Sequence, residues 1–395
     1  MKRPLAGLTV LDFTRVFSGP YATLLLADLG ARVIKVEPVG SGDDSRAFGP
    51  FVAGTSGYFE TLNRGKQSLA LDLRQPEGQQ LARDLAARAD VLIENFRPGR
   101  MARLGLDAAR LRAESPGLVY VSISGFGQTG PLAARGCYDI VAQAYGGLMA
   151  GTGPADEPTK AGPPVADALS GLTAAVGMLA ALWRRERTGE GAHVDVAMVD
   201  ALFAVLETSL ATYDLTGSVP PRRGNADAVL APFDSFRASD GWIVIGVGND
   251  ALWQALAALI SPALAADARF ASNADRLRNE AHLRPILAAW CGSHASAALL
   301  DRLHAAGVPA GPIRAIDELA CDPNLEARGM LARVALHGGG HLAVPGSPIH
   351  VDGRTPPIVR GPRLGEHSRT VLTDLLGAND ALVERLLAAA VIGEA

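Results

Sequence analysis

Short apolar runs alternate along the chain with longer segments in which apolar residues recur every three or four positions. Residues 8–13 read as a buried strand, residues 21–29 as a helix closed by Gly30, and residues 31–37 as a second strand. The same order recurs with residues 68–73 as strand, 77–89 as helix, 91–94 as strand, a helix from about residue 98, and 118–124 as strand. This alternation predicts an α/β fold with a mostly parallel sheet covered on both faces, and ligands beyond the carboxyl ends of its strands. After Gly147 a Gly/Pro-rich loop leads into a long apolar helix over residues 168–187, ended by Gly189 and Gly191, and a strand over 192–196. A Gly-, Pro- and Arg-rich stretch then precedes strands at 233–236 and 242–247 and helices to about residue 306. The division this predicts is a large domain over residues 1–212, a linker at 213–225, a smaller α+β domain over 226–320, and a segment 321–395 that returns to the large domain. That last segment carries Pro345, Pro348, Pro356, Pro357 and Pro362, reads as extended, and ends in an amphipathic helix over 368–376.

Composition narrows the function classes. At 395 residues the chain exceeds what one compact core usually holds. A net charge of −4 gives no reason to expect nucleic acid or an anionic membrane as partner, so an anionic ligand must be met by a local cluster of cations. Cys137, Cys291 and Cys321, odd in number and without CxxC spacing, favour neither disulfides nor a metal site, and point to a reducing, cytoplasmic setting. The N-terminal residues run straight into the first strand, which does not fit a signal peptide, and no stretch of about 18 uncharged apolar residues predicts a membrane span.

Several segments carry candidate chemistry. Residues 125–130 spell GxGxxG after a strand, but Pro131 follows at once and no helix starts there, so a glycine turn lining a pocket is expected rather than a dinucleotide site. Arg15, Val16, Phe17, Ser18, Gly19 and Pro20 separate the first strand from a helix that Pro20 can open, and backbone N–H groups there suit a phosphate or carbonyl. Asn63, Arg64, Gly65 and Lys66 precede the third strand. Asn95, Phe96 and Arg97 follow the fourth, with Arg100 and Arg103 at three-residue spacing beyond. In an acidic chain, such cations beside strand-end loops, with Phe96 to stack a base, suit a nucleotide with several phosphates. Asp167 stands at the start of the long helix. Its ordinary reading is an N-cap; its functional reading is a carboxylate held ionised by the helix N-terminus, ready for covalent catalysis. The histidines are scattered, and His367, before the last helix, reads as structural.

Together these segments resemble the CaiB/BaiF, or class III, CoA-transferases, including formyl-CoA transferase. The resemblance rests on Leu11-Asp12-Phe13-Thr14-Arg15-Val16 through Gly19-Pro20, on Leu26-Ala27-Asp28-Leu29-Gly30-Ala31, and on Glu94-Asn95-Phe96-Arg97-Pro98-Gly99. It also rests on Ser122-Ile123-Ser124-Gly125-Phe126-Gly127, on Tyr138-Asp139 and on Leu364-Gly365-Glu366-His367, and spans nearly the whole chain. It implies a large Rossmann-like domain, a small domain and an interlocked, ring-like homodimer. It also implies CoA transfer from an acyl-CoA to a carboxylic acid through an aspartyl-CoA thioester on Asp167. Arg15, Val16, Asn63, Arg64, Gly65, Lys66, Asn95, Phe96, Arg97, Arg103 and Tyr138 match stretches that bind CoA, which is substrate rather than a tightly bound cofactor. No metal or redox cofactor is implied.

Departures from the family's pattern bear on subtype. The frequent Gly-Asn-x-His-Pro reads Gly224-Asn225-Ala226-Asp227-Ala228 here, which removes a histidine from any substrate contact. No glycine-rich run like that of the oxalate-specific members precedes Asp250, so oxalate is not the first acceptor expected; dicarboxylic acids met by Arg46, Arg222 or Arg223 are, with succinyl-CoA as donor. The same fold hosts α-methylacyl-CoA racemases with a His-Asp pair. At that position stands Tyr138-Asp139, and a phenol of pKa near 10 is a poor base at neutral pH.

Overall fold

The computed structural model describes residues 3–395. Its chain forms two compact units: one of residues 3–148, Ala161–Glu207 and Pro323–Ala395, the other of Met149–Lys160 and Thr208–Asp322. In the larger unit the predicted strands are present as β1 (Thr9–Asp12), β2 (Arg32–Glu37), β3 (Gln67–Leu71), β4 (Val91–Glu94), β5 (Val119–Ser124) and β6 (His193–Ala197), joined at one edge by β7 (Ile392–Gly393). The order across the sheet is β7-β3-β2-β1-β4-β5-β6, parallel throughout except for β7. The strand order reverses between β1 and β4, and that switch point is where an open α/β sheet leaves a crevice at its carboxyl end.

Strand residues alternate between two cores, as a sheet buried on both faces requires. Leu11, Ile34, Leu69 and Leu92 face α2 (Pro76–Ala86), α5 (Ser368–Leu376) and α6 (Asp380–Ala388). Val10, Val33, Ile93, Val121 and Ile123 face α1 (Ser18–Asp28) and α4 (Val165–Thr188), with α3 (Asp139–Tyr145) beside them. By length and composition α4 could cross a bilayer, which the reading of the sequence did not anticipate. Ala174, Met178 and Leu182 on it are nevertheless buried against the sheet.

The tail is less extended than expected. It folds a hairpin, Leu331–Ala335 with His341–Pro345, before its two helices and β7. His367 pins it to β3: its Nδ1 accepts from the Ser68 N–H at 3.2 Å and its own N–H donates to the Ser68 carbonyl at 3.0 Å. The smaller unit holds a three-stranded antiparallel sheet, Phe233–Arg237, Trp242–Gly246 and Ala310–Pro312, over a helical core that buries Trp253 and Phe270.

Candidate functional site

The loop leaving β1 at the switch point rests on a buried ionic network. Asp12, at the end of β1, accepts from the Thr14 N–H at 2.9 Å, from the Thr23 hydroxyl at 2.6 Å and from Lys66 Nζ at 3.1 Å. Burial alone would push its pKa up, but Lys66, Lys35 and the two hydroxyls outweigh that and hold it at about 2. Lys35 Nζ donates to the Thr14 carbonyl at 2.8 Å and pairs with Asp43 at 2.7 Å; Asp43 in turn accepts from the Val16 N–H at 3.2 Å. Val16 is thereby held at φ 65°, a conformation a β-branched residue rarely adopts and one that persists only where its surroundings over-determine it.

Asn95, from the loop after β4, completes the clamp. Its Oδ1 accepts from the Arg15 N–H at 2.8 Å, and its Nδ2 donates to the Arg15 carbonyl at 2.9 Å and to Ser18 Oγ at 3.2 Å. The next residue, Phe96, has its N–H held by Glu94 at 2.8 Å and its ring 5.3 Å from the Arg15 guanidinium.

Asp167 reaches this loop because α4 packs closely on the start of α1. A Cβ on Gly171 would stand 2.6 Å from the Ser18 carbonyl oxygen, so only glycine allows this approach one turn beyond Asp167. Asp167 is not the N-cap that its position suggested. The helix begins at Val165, and the cap comes from Asp139 on α3, whose Oδ1 accepts from the N–H groups of Ala166 at 2.9 Å and Asp167 at 3.3 Å. Freed from that role, the Asp167 carboxyl faces a cavity. Burial first, and then the nearby Asp139 charge, push its pKa up to about 7, against a lowering contact from the Ser18 side chain. The expectation of a carboxylate kept ionised by the helix terminus is thus corrected: desolvation wins.

The cavity measures about 530 Å³, within the usual range of a small-molecule site. It brings Asp167 together with Arg15, Val16, Asn95, Phe96, Arg97 and Tyr138. Arg15 and Phe96 also wall a neighbouring cavity of about 240 Å³, which adds Arg100, Asp72 and Arg74. Arg103 is exposed and lines neither. Residues 63–66 are not brought to either cavity, because their polar groups are engaged inside the domain. Arg64 makes a bidentate pair with Asp28, Lys66 binds Asp12 and the Pro20 carbonyl, Asn63 accepts from Lys66 at 2.9 Å, and the Gly65 N–H donates to the Arg360 carbonyl.

The arginines proposed for a dicarboxylate are likewise occupied. Arg46 forms a bidentate pair with Glu37 and stacks on Phe59 at 3.7 Å. Within the smaller unit, Arg222 donates to the Pro154 and Ala155 carbonyls and Arg223 pairs with Glu280. Asp227, in place of the family's histidine, accepts from the N–H groups of Val229 and Leu230. Sequence reading missed Arg135 and Cys137 on the cavity wall, for which no spacing gave a signal, and the contact of Ser18 with Asp167. The glycines at 125–130 do form a turn, not a helix start, and Gly125 lines the cavity. Among the described residues no group of three or more His, Cys, Asp or Glu side chains is placed to hold a metal ion.

Comparison with known proteins gives the family. The family model described as CoA-transferase family III matches residues 5–368. The chain is 44% identical over 370 residues to an acetyl-CoA:oxalate CoA-transferase of Acetobacter aceti, covering 92% of this chain and 94% of that one. It is 40% identical over 387 residues to a succinate–glutarate CoA-transferase of Agrobacterium fabrum, covering 95% and 96%. Among solved structures, a CaiB/BaiF family protein from Brucella suis matches with a TM-score of 0.83 at 40% identity, over 95% of this chain and 100% of that one.

Proposed function

The chain belongs to CoA-transferase family III, and from that premise we propose that it moves CoA from an acyl-CoA to a carboxylic acid through a covalent intermediate on Asp167. One observation carries the proposal. Asp167 is a carboxyl not used for capping, partly desolvated, in a cavity whose walls are the switch-point loops of a parallel sheet.

In the cycle we propose, a carboxylate oxygen of Asp167 attacks the thioester carbonyl carbon, the C–S bond breaks, and CoA leaves as thiolate from a mixed anhydride. The thiolate then attacks the Asp167 carbonyl carbon. The anhydride C–O bond breaks, the first acyl group departs as a carboxylate, and CoA is held as an aspartyl thioester. An incoming carboxylate repeats the exchange in reverse and restores Asp167. Protons and electrons balance with no added reductant or metal.

Arg15, Arg97 and Arg100 are the side chains we assign to CoA phosphates, with Phe96 between the two cavities as a surface for the adenine. The named relatives use oxalate and glutarate, so a short dicarboxylic acid is the acceptor class we favour, and oxalate, set aside on the sequence alone, returns to the panel. The test is mass spectrometry of the protein with succinyl-CoA and, separately, oxalate, glutarate, mesaconate and malate. A new acyl-CoA with at least one of them is expected. Silence with all four, together with deuterium exchange at the α-carbon of a 2-methylacyl-CoA, would replace this reading with racemisation.

We also read the chain as one half of an interlocked homodimer. Leu172, Val176, Leu179 and Trp183 lie four, three and four residues apart on one side of α4 and are 42, 67, 37 and 63% exposed, an apolar stripe with the spacing of a helix-packing seam. Val176→Glu combined with Trp183→Glu is expected to lower the share of dimer recovered on refolding from denaturant, measured as mass by light scattering, since interlocked chains do not part once folded; a wild-type chain that is monomeric would refute the reading.

A further inference from the structure

Asn95 has no freedom to turn its amide. Its Oδ1 sits against an N–H and its Nδ2 against a carbonyl, both of Arg15, so the two ends cannot be exchanged without losing both bonds. The second hydrogen of Nδ2 then points at Ser18 Oγ, 3.2 Å away. A hydroxyl that accepts from an amide has its single hydrogen left to give. Ser18 is 3% exposed, stands on the first turn of α1 where that helix meets α4, and lines the same cavity as Asp167. Ser18 and Asp167 line one cavity where α1 and α4 approach so closely that a Cβ on Gly171, one turn beyond Asp167, would stand 2.6 Å from the Ser18 carbonyl oxygen, and a hydroxyl there lowers the Asp167 pKa against its burial.

We propose that Asn95 and Ser18 are positioning residues for Asp167: Asn95 fixes the Ser18 hydroxyl as a donor, and Ser18 orients the attacking carboxylate and favours its ionised form. The relay starts on the backbone of Arg15, a residue assigned above to CoA, so ordering of that loop and reactivity of Asp167 are set by one chain of hydrogen bonds. The inference rests on Asp167 being the nucleophile.

The groups that face Asp167 are Asp139 and Tyr138 at the start of α3, Cys137 just before it, and Tyr58. Across the cavity stand Arg15, Arg97, Arg135 and Asp44. Burial, with the neighbouring carboxylates, pushes the Cys137 thiol up to about 11 and the Tyr58 phenol up to about 12, so neither ionises near neutral pH. The guanidinium groups are permanently charged. Asp139 is already committed as acceptor to two backbone N–H groups and to Gln143. Ser18 is therefore the neighbour whose removal should move the acid limb of Asp167 selectively.

The experiment is the pH profile of kcat/KM for transfer by wild type, Ser18→Ala and Ser18→Thr, with Asp167→Asn assayed alongside. A hydrogen bond to a charged group corresponds to about one pH unit or more, so Ser18→Ala is expected to shift the acid limb upward by about one unit. It should lose roughly tenfold in kcat/KM at pH 6 and little at pH 9, and Ser18→Thr, which keeps a hydroxyl, should move the limb back. A Ser18→Ala profile lowered equally at every pH, or unchanged, overturns the relay while inactive Asp167→Asn leaves the nucleophile standing. Active Asp167→Asn overturns the nucleophile itself, and the relay with it.

Discussion

Asp167→Asn is expected to lose transfer by at least about a thousandfold while melting at a higher temperature than the wild type. The loss follows from the chemistry: a carboxamide keeps the shape of the side chain but cannot attack a thioester, and removal of a covalent nucleophile costs factors of this order or larger. The gain follows from linkage. In the fold, burial and then Asp139 hold the Asp167 pKa at about 7, whereas the unfolded chain ionises near the ordinary aspartate value of 3.8. Between those values the folded state binds the extra proton. Stability contributed by this group is therefore full below about pH 4 and lost as the pH rises toward 7. An amide escapes that penalty. The same shift predicts that wild-type kcat/KM falls about tenfold per unit as the pH drops below 7, since the ionised form attacks. Thermal melts and rate profiles check both halves. An inactive but less stable variant would mean that the carboxylate serves the fold, and would count against Asp167 being a destabilised reactive group.

Six strands of the sheet were legible because they are short, mostly apolar runs punctuated by glycine, the pattern of strands buried on both faces, whereas the two-residue edge strand β7 offers no such run. The switch-point loops followed from that order, and with them Arg15, Val16, Asn95, Phe96 and Arg97 on the cavity wall. What stayed hidden was long-range. The start of α4 was read three residues late because its cap, Asp139, lies on another helix. Arg64 and Lys66 look like free cations beside a ligand loop until Asp28 and Asp12, 36 and 54 residues away, are seen to face them. No periodicity encodes such pairs. The hairpin in the tail had a local signal that went unread: Gly338, Gly339 and Gly340, the last two at φ 91° and 81°, supply the turn between two short strands.

The second large effect concerns the platform beneath the site. Asp12→Ala is expected to destabilise the larger unit by about 3–5 kcal/mol, the usual cost of leaving one member of a buried ion pair without its partner. Both side chains of the Asp12–Lys66 pair are 0% exposed. Burial, with Lys35 nearby, already pulls the Lys66 pKa down to about 8, and Asp12 is the largest influence opposing that fall. Without the carboxylate, Lys66 keeps the Pro20 carbonyl and Asn63 Oδ1, and the weaker influence of Asp43 is left to oppose burial and the Lys35 charge. The sign with pH is fixed by Asp12: held at about 2 in the fold against 3.8 unfolded, it stabilises above about pH 4, and that contribution disappears as the pH falls to about 2. The variant should lack this slope. CoA affinity should drop with stability, because Asp12 also holds the Thr14 N–H at the base of the Arg15–Val16 loop. Urea unfolding of Asp12→Ala and of Asp12→Leu with Lys66→Met separates charge from packing. The double variant, having no orphaned ammonium, should recover at least half of the lost stability. A double variant less stable than the single one would show that the pair's hydrogen bonds, rather than the unpaired charge, hold the loop in place.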